Sequence, residues 1–135
     1  MPSTETIQKV LADLEQGFGP SFFAHVADNV SWTVTGRTSE NPVAGHYTSK
    51  EAIKGPYARV GALMKAPIKP EIRHVLVGDD GQSMVVEFTA MGQLKSGGQY
   101  ALESCWICKF EGDLIVEIRG YMDSAHMKKV LEENK

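Results

Sequence analysis

The sequence lacks the features that mark secreted, membrane-spanning or nucleic-acid-binding proteins. Two cysteines among 135 residues cannot build a disulfide framework. The 14 Lys and Arg residues are outnumbered by 17 Asp and Glu residues and form no basic run. The sequence therefore lacks the basic patch that binds the phosphate backbone of nucleic acids. No stretch approaches the ~18 apolar residues of a membrane span, and the start MPSTETIQKVLADLEQ is unlike a secretory leader. We expect a cytoplasmic protein that binds neither nucleic acid nor membrane.

The length and composition are those of an ordinary globular protein. Hydrophobic residues make up 42% of the chain and charged residues 23%. A chain of this length can bury one core without a disulfide or a metal. We therefore expect a single domain over residues 1–135, and we find no internal repeat or low-complexity segment.

The two cysteines form a C-x-x-C pattern in the segment SCWICKF. The segment has strand character, and residues three apart on a strand point to opposite faces. Cys105 and Cys108 therefore cannot share a metal or readily bond to each other, and we interpret them as small hydrophobic residues. Zinc ligand spacing is also missing from the histidines, which are His25, His46, His74 and His126. We expect no metal site and no cofactor.

The N-terminal half is typical of helices around one strand. Apolar spacing predicts helices over residues 4–16 and 20–27, and NVSWTVTG alternates as a half-buried strand. Residues 36–47 are predicted to be loop. A capping box at Thr48 and Glu51 begins a helix that runs to about residue 64, with a kink at Pro56.

The C-terminal half is typical of an antiparallel meander of four strands. The segments EIRHVLVG, SMVVEFTAMG, QYALESCWICKF and LIVEIRGYM are separated by the turn signals DDGQ, KSGG and EGD. Asp123 then stands where it would cap a short last helix. This order predicts an α+β fold with helices on one face of a curved sheet, enclosing a cavity.

Four segments resemble the nuclear transport factor two-like (NTF2-like) superfamily, and within it the SnoaL-like group related to polyketide cyclases and ketosteroid isomerases. They are NVSWTVTG, NPVAGHYTSKEAI, VVEFTAMGQLKSGGQY and WICKFEGDLIVEIRGYMDSA. The resemblance implies a cone-shaped, cystatin-like α+β barrel, a curved antiparallel sheet whose concave face is covered by N-terminal helices. It also implies a homodimer formed through the sheet and a small apolar metabolite held inside the cone.

The catalytic residues of these relatives align with unsuitable side chains here. The Arg-x-Asp pair of the epoxide hydrolases aligns with Glu87 and Thr89, and the last-strand acid of the hydrolases and cyclases aligns with Gly120. The tyrosine and acids of the ketosteroid isomerases align with side chains that cannot move a proton, which are Val10, Thr33 or Val34, and Trp106. The resemblance therefore implies a fold without assigning any one relative's reaction.

Side-chain alternation along the strands predicts which residues face the cavity. We start from Trp32 and Val34 pointing inward, as the resemblance implies, and follow the same face of the sheet. The ligand-binding candidates on that face are Trp32, Thr89, Tyr100, Ser104, Trp106, Ile118 and Met122. A shift of one residue would exchange the inner and outer sets of a strand.

Glu87 is the candidate for acid–base chemistry. It stands between Val86 and Phe88, and a carboxyl in apolar surroundings has a raised pKa that suits proton transfer. The alternative is a solvent-facing glutamate, or one paired with Arg73 or Arg119 across the sheet.

Three functions remain open from the sequence. The first is a cofactor-independent enzyme that isomerises, cyclises or dehydrates an apolar oxygenated metabolite. In it, Glu87 transfers the proton, and His46 and Tyr57 flank the mouth of the cone and orient the substrate oxygen, with Tyr100 or Ser104 as alternatives. The second is a non-catalytic binding protein, and the third is a dimeric interaction module whose cone is filled by its own side chains.

Overall fold

A computed structural model describes residues 2–134 and shows an α+β fold with four helices and six strands in that range. The helices are α1 (Thr4–Glu15), α2 (Pro20–Phe23), α3 (Lys50–Gly61) and α4 (Ser124–Glu133). The strands are β1 (Val26–Val34), β2 (Gly45–Tyr47), β3 (Lys69–Val77), β4 (Ser83–Gln93), β5 (Gln99–Glu111) and β6 (Leu114–Met122). Within the described range, none of the helices is long and apolar enough to cross a membrane.

The strands form one curved, unclosed sheet in the order β2-β1-β6-β5-β4-β3. Strands β3 to β6 are the predicted antiparallel meander. Strand β1 runs parallel to β6 and antiparallel to β2, so the sheet has one parallel pair. The predicted α+β class is confirmed, although β2 lies in a segment that the sequence indicated as loop.

The helix starts follow local capping chemistry. The Asp123 carboxylate accepts a hydrogen bond from the His126 amide at 3.2 Å, which confirms the predicted cap of α4. Helix α3 begins one residue later than expected, because Ser49 has the extended backbone of a cap and its hydroxyl accepts from the Ala52 amide at 3.0 Å. The capping box predicted from Thr48 is therefore wrong.

Helix α2 is shorter than predicted because β1 begins early. The sequence placed a helix over residues 20–27, but it ends at Phe23 and Val26 already pairs with Ile115 of β6. The bulge between Val26 and Ser31 bends the strand while it keeps this pairing.

The core lies between the inner face of the sheet and the helices. Its buried side chains alternate along β4 and β5, as in Val86 and Phe88 or Leu102 and Trp106. Burial of such side chains stabilises the fold by about 1.5–3 kcal/mol each. Each helix that has a buried apolar face packs that face into the same hydrophobic core.

The two cysteines face opposite sides of β5, as predicted. Cys108 is buried in the core, and burial raises the pKa of its thiol to about 12, with Cys105 as the smaller cause. Burial, and then the charge of Glu87, also raise the pKa of Cys105. Both thiols stay protonated near neutral pH, so neither is an activated nucleophile.

Candidate functional site

A small apolar cavity of about 50 Å³ lies inside the cone. Its wall combines the inner face of the sheet with one side of α3 and the loop before α2. The apolar lining includes Ile53, Val60, Phe88, Ala90, Leu102 and Met127. This volume holds a few water molecules at ~10–15 Å³ each. It is well below the ~300–1,000 Å³ of typical small-molecule pockets.

A cluster of aromatic rings packs beside the cavity. The Trp106 ring centroid lies 5.0 Å from that of Phe88, 5.2 Å from Trp32, 5.6 Å from Phe22 and 5.8 Å from Phe18. Tilted and edge-on pairs of this kind stabilise by about 0.5–1.5 kcal/mol beyond the area they bury. The rings therefore leave a narrow space that a large ligand cannot enter without displacing one of them.

Three of the described residues that line the cavity carry a hydroxyl group, and they are Tyr57, Tyr100 and Ser104. Burial raises the pKa of Tyr57 far above its ordinary value, and nearby Tyr100 and Cys108 raise it further. Burial also raises the pKa of Tyr100 strongly. Both phenols therefore stay protonated and are hydrogen-bond donors, while the Ser104 hydroxyl donates to the Leu102 carbonyl at 3.2 Å.

Ionisable groups that titrate near neutral pH are missing from the cavity. Among residues 2–134, no Asp, Glu, His, Lys or Arg side chain lines it. A general base works best when its pKa lies near the operating pH. The raised pKa values of the buried phenols do not meet this condition. The described lining residues can donate hydrogen bonds to a ligand oxygen, and none of them carries a carboxylate or an imidazole.

The Trp32 indole nitrogen is a buried donor behind this wall. Of the buried side-chain nitrogen and oxygen atoms in residues 2–134, it alone has no hydrogen-bond partner. The Trp32 ring lies 5.7 Å from that of Tyr57 and 5.2 Å from that of Trp106, which both line the cavity. A buried donor without a partner costs about 1–3 kcal/mol.

Glu87 and Thr89 lie on the outer face of the sheet instead of the predicted inner face. Their neighbours Val86 and Phe88 take the inward positions. The Glu87 side chain is 55% exposed, and its carboxylate lies 2.9 Å from Nδ1 of His74. Thr89 is buried on the outer face, where its hydroxyl accepts from Arg73 Nε at 3.2 Å.

His46 also lies away from the cavity. It is exposed on β2, and its Nε2 atom lies 2.8 Å from the Ser31 hydroxyl. Ile118 and Trp32 do face inward, but they are buried behind the cavity wall. The predicted site residues that line the cavity are Tyr57, Tyr100, Ser104, Trp106 and Met122.

Sequence reasoning missed several residues of the wall. Phe88 and Ala90 were missed because the alternation predicted for β4 was shifted by one residue, which exchanged its inward and outward side chains. Ile53 and Val60 are seven residues apart on α3, and this helical spacing was the available signal for them. Phe18 lies between two glycines in the loop before α2, and no pattern in the sequence indicated that it would line the cavity.

An open cleft of about 620 Å³ lies beside the cavity. Residues 16–20 form one wall, and α3 with Pro67 forms another. Phe18, Tyr57 and Ile68 border both the cleft and the cavity. The two spaces are therefore neighbours separated by a few side chains.

Comparison with known proteins gives structural matches alone. No protein-family model and no curated protein matches the chain. Bal32a from a soil-derived mobile gene cassette is 22% identical, with a TM-score of 0.72 over 96% of this chain and 93% of that one. An NTF2-like protein of unknown function from Burkholderia pseudomallei is 17% identical, with a TM-score of 0.76 over 95% and 98%. TerC, co-crystallised with polyporic acid, is 15% identical, with a TM-score of 0.75 over 95% and 96%.

The fold is that of NTF2-like and ketosteroid isomerase-like proteins, as the sequence resemblance implied. Because the identities are low, these matches establish the fold and leave the chemistry of this chain to its own site.

Proposed function

We propose that the protein binds a small, uncharged, mostly apolar molecule through an oxygen acceptor inside its cone. The observation that carries the proposal is an apolar cavity wall combined with the protonated hydroxyls of Tyr57 and Tyr100. Apolar contact is favourable by about 25 cal/mol per Å² of buried surface, and a buried phenol favours a partner that accepts a hydrogen bond. A charged ligand would be desolvated without a counter-charge, which costs several kcal/mol.

The chemistry of the cavity lining favours binding over acid–base catalysis. An isomerase or cyclase of the kind considered from the sequence needs a proton acceptor beside its substrate. Glu87 is on the outer face, and the described side chains around the cavity are apolar or hydroxyl-bearing. TerC has the same fold and was co-crystallised with polyporic acid, which supports small-molecule binding as one use of the fold.

Native mass spectrometry of gently purified protein tests the proposal directly. We expect a retained apolar molecule that contains oxygen and is released unchanged after incubation. Release of a chemically altered molecule would support the enzyme instead. Identification of the retained molecule also provides a natural ligand for the variants below.

Titration with Nile red, an uncharged aromatic dye with a carbonyl oxygen, tests the role of the hydroxyls. Tyr100→Phe keeps the ring and removes one donor. Loss of one neutral hydrogen bond, about 0.5–1.5 kcal/mol, should weaken binding about 2- to 12-fold. Tyr121→Phe on the outer face is the matched control and should bind as wild type does. Equal affinities for all three proteins would contradict hydrogen bonding by Tyr100.

A second candidate function, a homodimeric interaction module, is supported by the outer face of the sheet. Leu76 and Tyr121 are 67% and 46% exposed there, and Val85, Cys105 and Ile107 are half-buried beside them. A second copy seated on this face would remove these side chains from water. Sedimentation should show a dimer for wild type and a monomer for Ile107→Glu, and a wild-type monomer would remove this candidate.

A further inference from the structure

We infer that Phe18 is the gate of the ligand site and that the open cleft is its outer compartment. The inference rests on the proposed function, because it describes how a ligand reaches the same cavity. Phe18 is one of three residues that border both spaces, together with Tyr57 and Ile68. A molecule that passes from the cleft toward Tyr100 must therefore move past these side chains.

The Phe18 ring closes the passage by packing against the cavity wall. Its centroid lies 4.8 Å from the Tyr57 ring, 5.8 Å from the Trp106 ring and 6.3 Å from the Phe88 ring. The side chain is only half-buried, so its other side contacts the cleft and solvent. The ring can therefore leave this position with less loss of buried contact than a fully buried core residue such as Trp106.

The backbone around Phe18 permits this movement. Gly17 precedes it with φ of 126°, and Gly19 follows it with open space where a Cβ would stand. Helix α1 ends before Gly17 and α2 begins after Gly19, so the two glycines separate Phe18 from both helices. Glycine has access to more backbone conformations than any other residue. The loop can turn the ring outward while the helices stay packed.

The sizes of the two spaces define the class of ligand. The cavity of about 50 Å³ accepts only the end of a molecule, whereas the adjoining cleft of about 620 Å³ has room for the rest. Together they reach the ~300–1,000 Å³ range of small-molecule sites. The ligand is an elongated, uncharged and mostly apolar molecule. Its acceptor oxygen meets Tyr100, and its other end remains in the cleft in the place of the Phe18 ring.

Stopped-flow mixing with Nile red tests the gate through the association rate. If the open form is populated at about 0.1–10%, removal of the ring in Phe18→Ala should raise the association rate at least about tenfold. Leu114→Ala is the control, because Leu114 is an exposed apolar residue at the start of β6 and borders neither the cavity nor the cleft. It should associate as wild type does, and an unchanged rate in Phe18→Ala would overturn the gate.

Gly19→Ala separates a gate from a packing role. The new methyl group meets no neighbour within 4 Å, and the backbone of Gly19 is extended, so the fold accommodates alanine. Restriction of the loop should slow association about two- to fivefold while the Phe18 ring stays in place. A residue that serves only to pack the core would show no change in this variant.

Two further variants keep the outcomes distinct. Phe18→Leu retains apolar packing and should give an intermediate rate, so it replaces Phe18→Ala if the alanine variant does not fold. Tyr100→Phe should speed dissociation and leave association nearly unchanged. Absence of dye binding in every protein would overturn the proposed function together with the gate, whereas binding at one common association rate would overturn the gate alone.

Discussion

Val86 pairs with Trp106 across β4 and β5, and both side chains are buried in the core. The next pair is Glu87 with Cys105, which alternation places on the outer face. A shift of one residue along β4 would therefore move the Glu87 carboxylate from solvent to the cavity. The described lining of the cavity therefore carries hydroxyl groups and no carboxylate, which is the basis of the binding proposal.

Glu87→Gln should change neither ligand affinity nor stability appreciably. The carboxylate contacts His74 at 2.9 Å, but the two side chains are 55% and 79% exposed. Exposed pairs of this kind contribute about 0–1 kcal/mol, so the free energy of unfolding should fall by less than about 1 kcal/mol. Urea denaturation and a Nile red titration measure the two quantities. A large loss of affinity would instead place Glu87 in the ligand site.

Gly120→Ala should destabilise the protein by about 1–3 kcal/mol. A Cβ at this position would lie 3.3 Å from Cδ1 and 3.4 Å from Nε1 of Trp106, and Trp106 is too well packed to yield easily. The effect would appear as a lower urea midpoint. Gly120→Asp should cost more because the carboxylate would also be buried beside the indole.

Gly61→Ala is the matched control for Gly120→Ala. Gly61 ends α3, and a Cβ there would meet no atom within 4 Å. The substitution should stabilise by about 0.4–1 kcal/mol because it lowers the entropy of the unfolded chain. If the two alanine variants had the same stability, crowding by Trp106 would not explain the glycine at position 120.

Asp123→Ala should lower the free energy of unfolding by about 0.5–2 kcal/mol, because it removes the oxygen that caps α4. Asp123→Asn keeps an acceptor oxygen and should retain most of the stability. Both variants should bind Nile red as wild type does, since Asp123 is exposed and does not line the cavity. Loss of binding in the asparagine variant would contradict a purely structural role.

Stability should fall in alkaline solution. The fold raises the pKa of Cys108 from 9.0 to about 12, and it raises the pKa values of Tyr57 and Tyr100 above 10.0, in each case mainly by burial. The folded protein therefore keeps protons that the unfolded chain releases, and stability falls with pH wherever that difference exists. The contribution is complete below about pH 9 and is lost as the pH rises toward the folded values.

Urea midpoints measured from about pH 8 to about pH 11 test this dependence. A double variant with Cys108→Ala and Tyr100→Phe removes two of the three groups, so its midpoint should fall less steeply with pH than that of wild type. Parallel curves for the two proteins would contradict the assignment of alkaline sensitivity to these groups.

The sequence by itself determined the order of the helices and of the strands other than β2, together with the meander and the cap at Asp123. These features depend on local signals, because apolar periodicity, turn residues and a capping carboxylate act within a few residues of one another. The opposite orientations of Cys105 and Cys108 followed from the same period of two. The two hydroxyl-bearing tyrosines of the cavity were also predicted as candidates from the sequence.

The tertiary structure alone decided the parity of β4, and with it the chemistry of the site. Val85 and Val86 are both apolar, so alternation within β4 permits either face to point inward, and only pairing with β5 selects one. The tertiary structure also decided the size of the cavity, because the cavity volume depends on how rings from distant segments pack around Trp106. Periodicity in a sequence identifies which side chains are apolar, but the volume that they leave is set by contacts far apart in the chain.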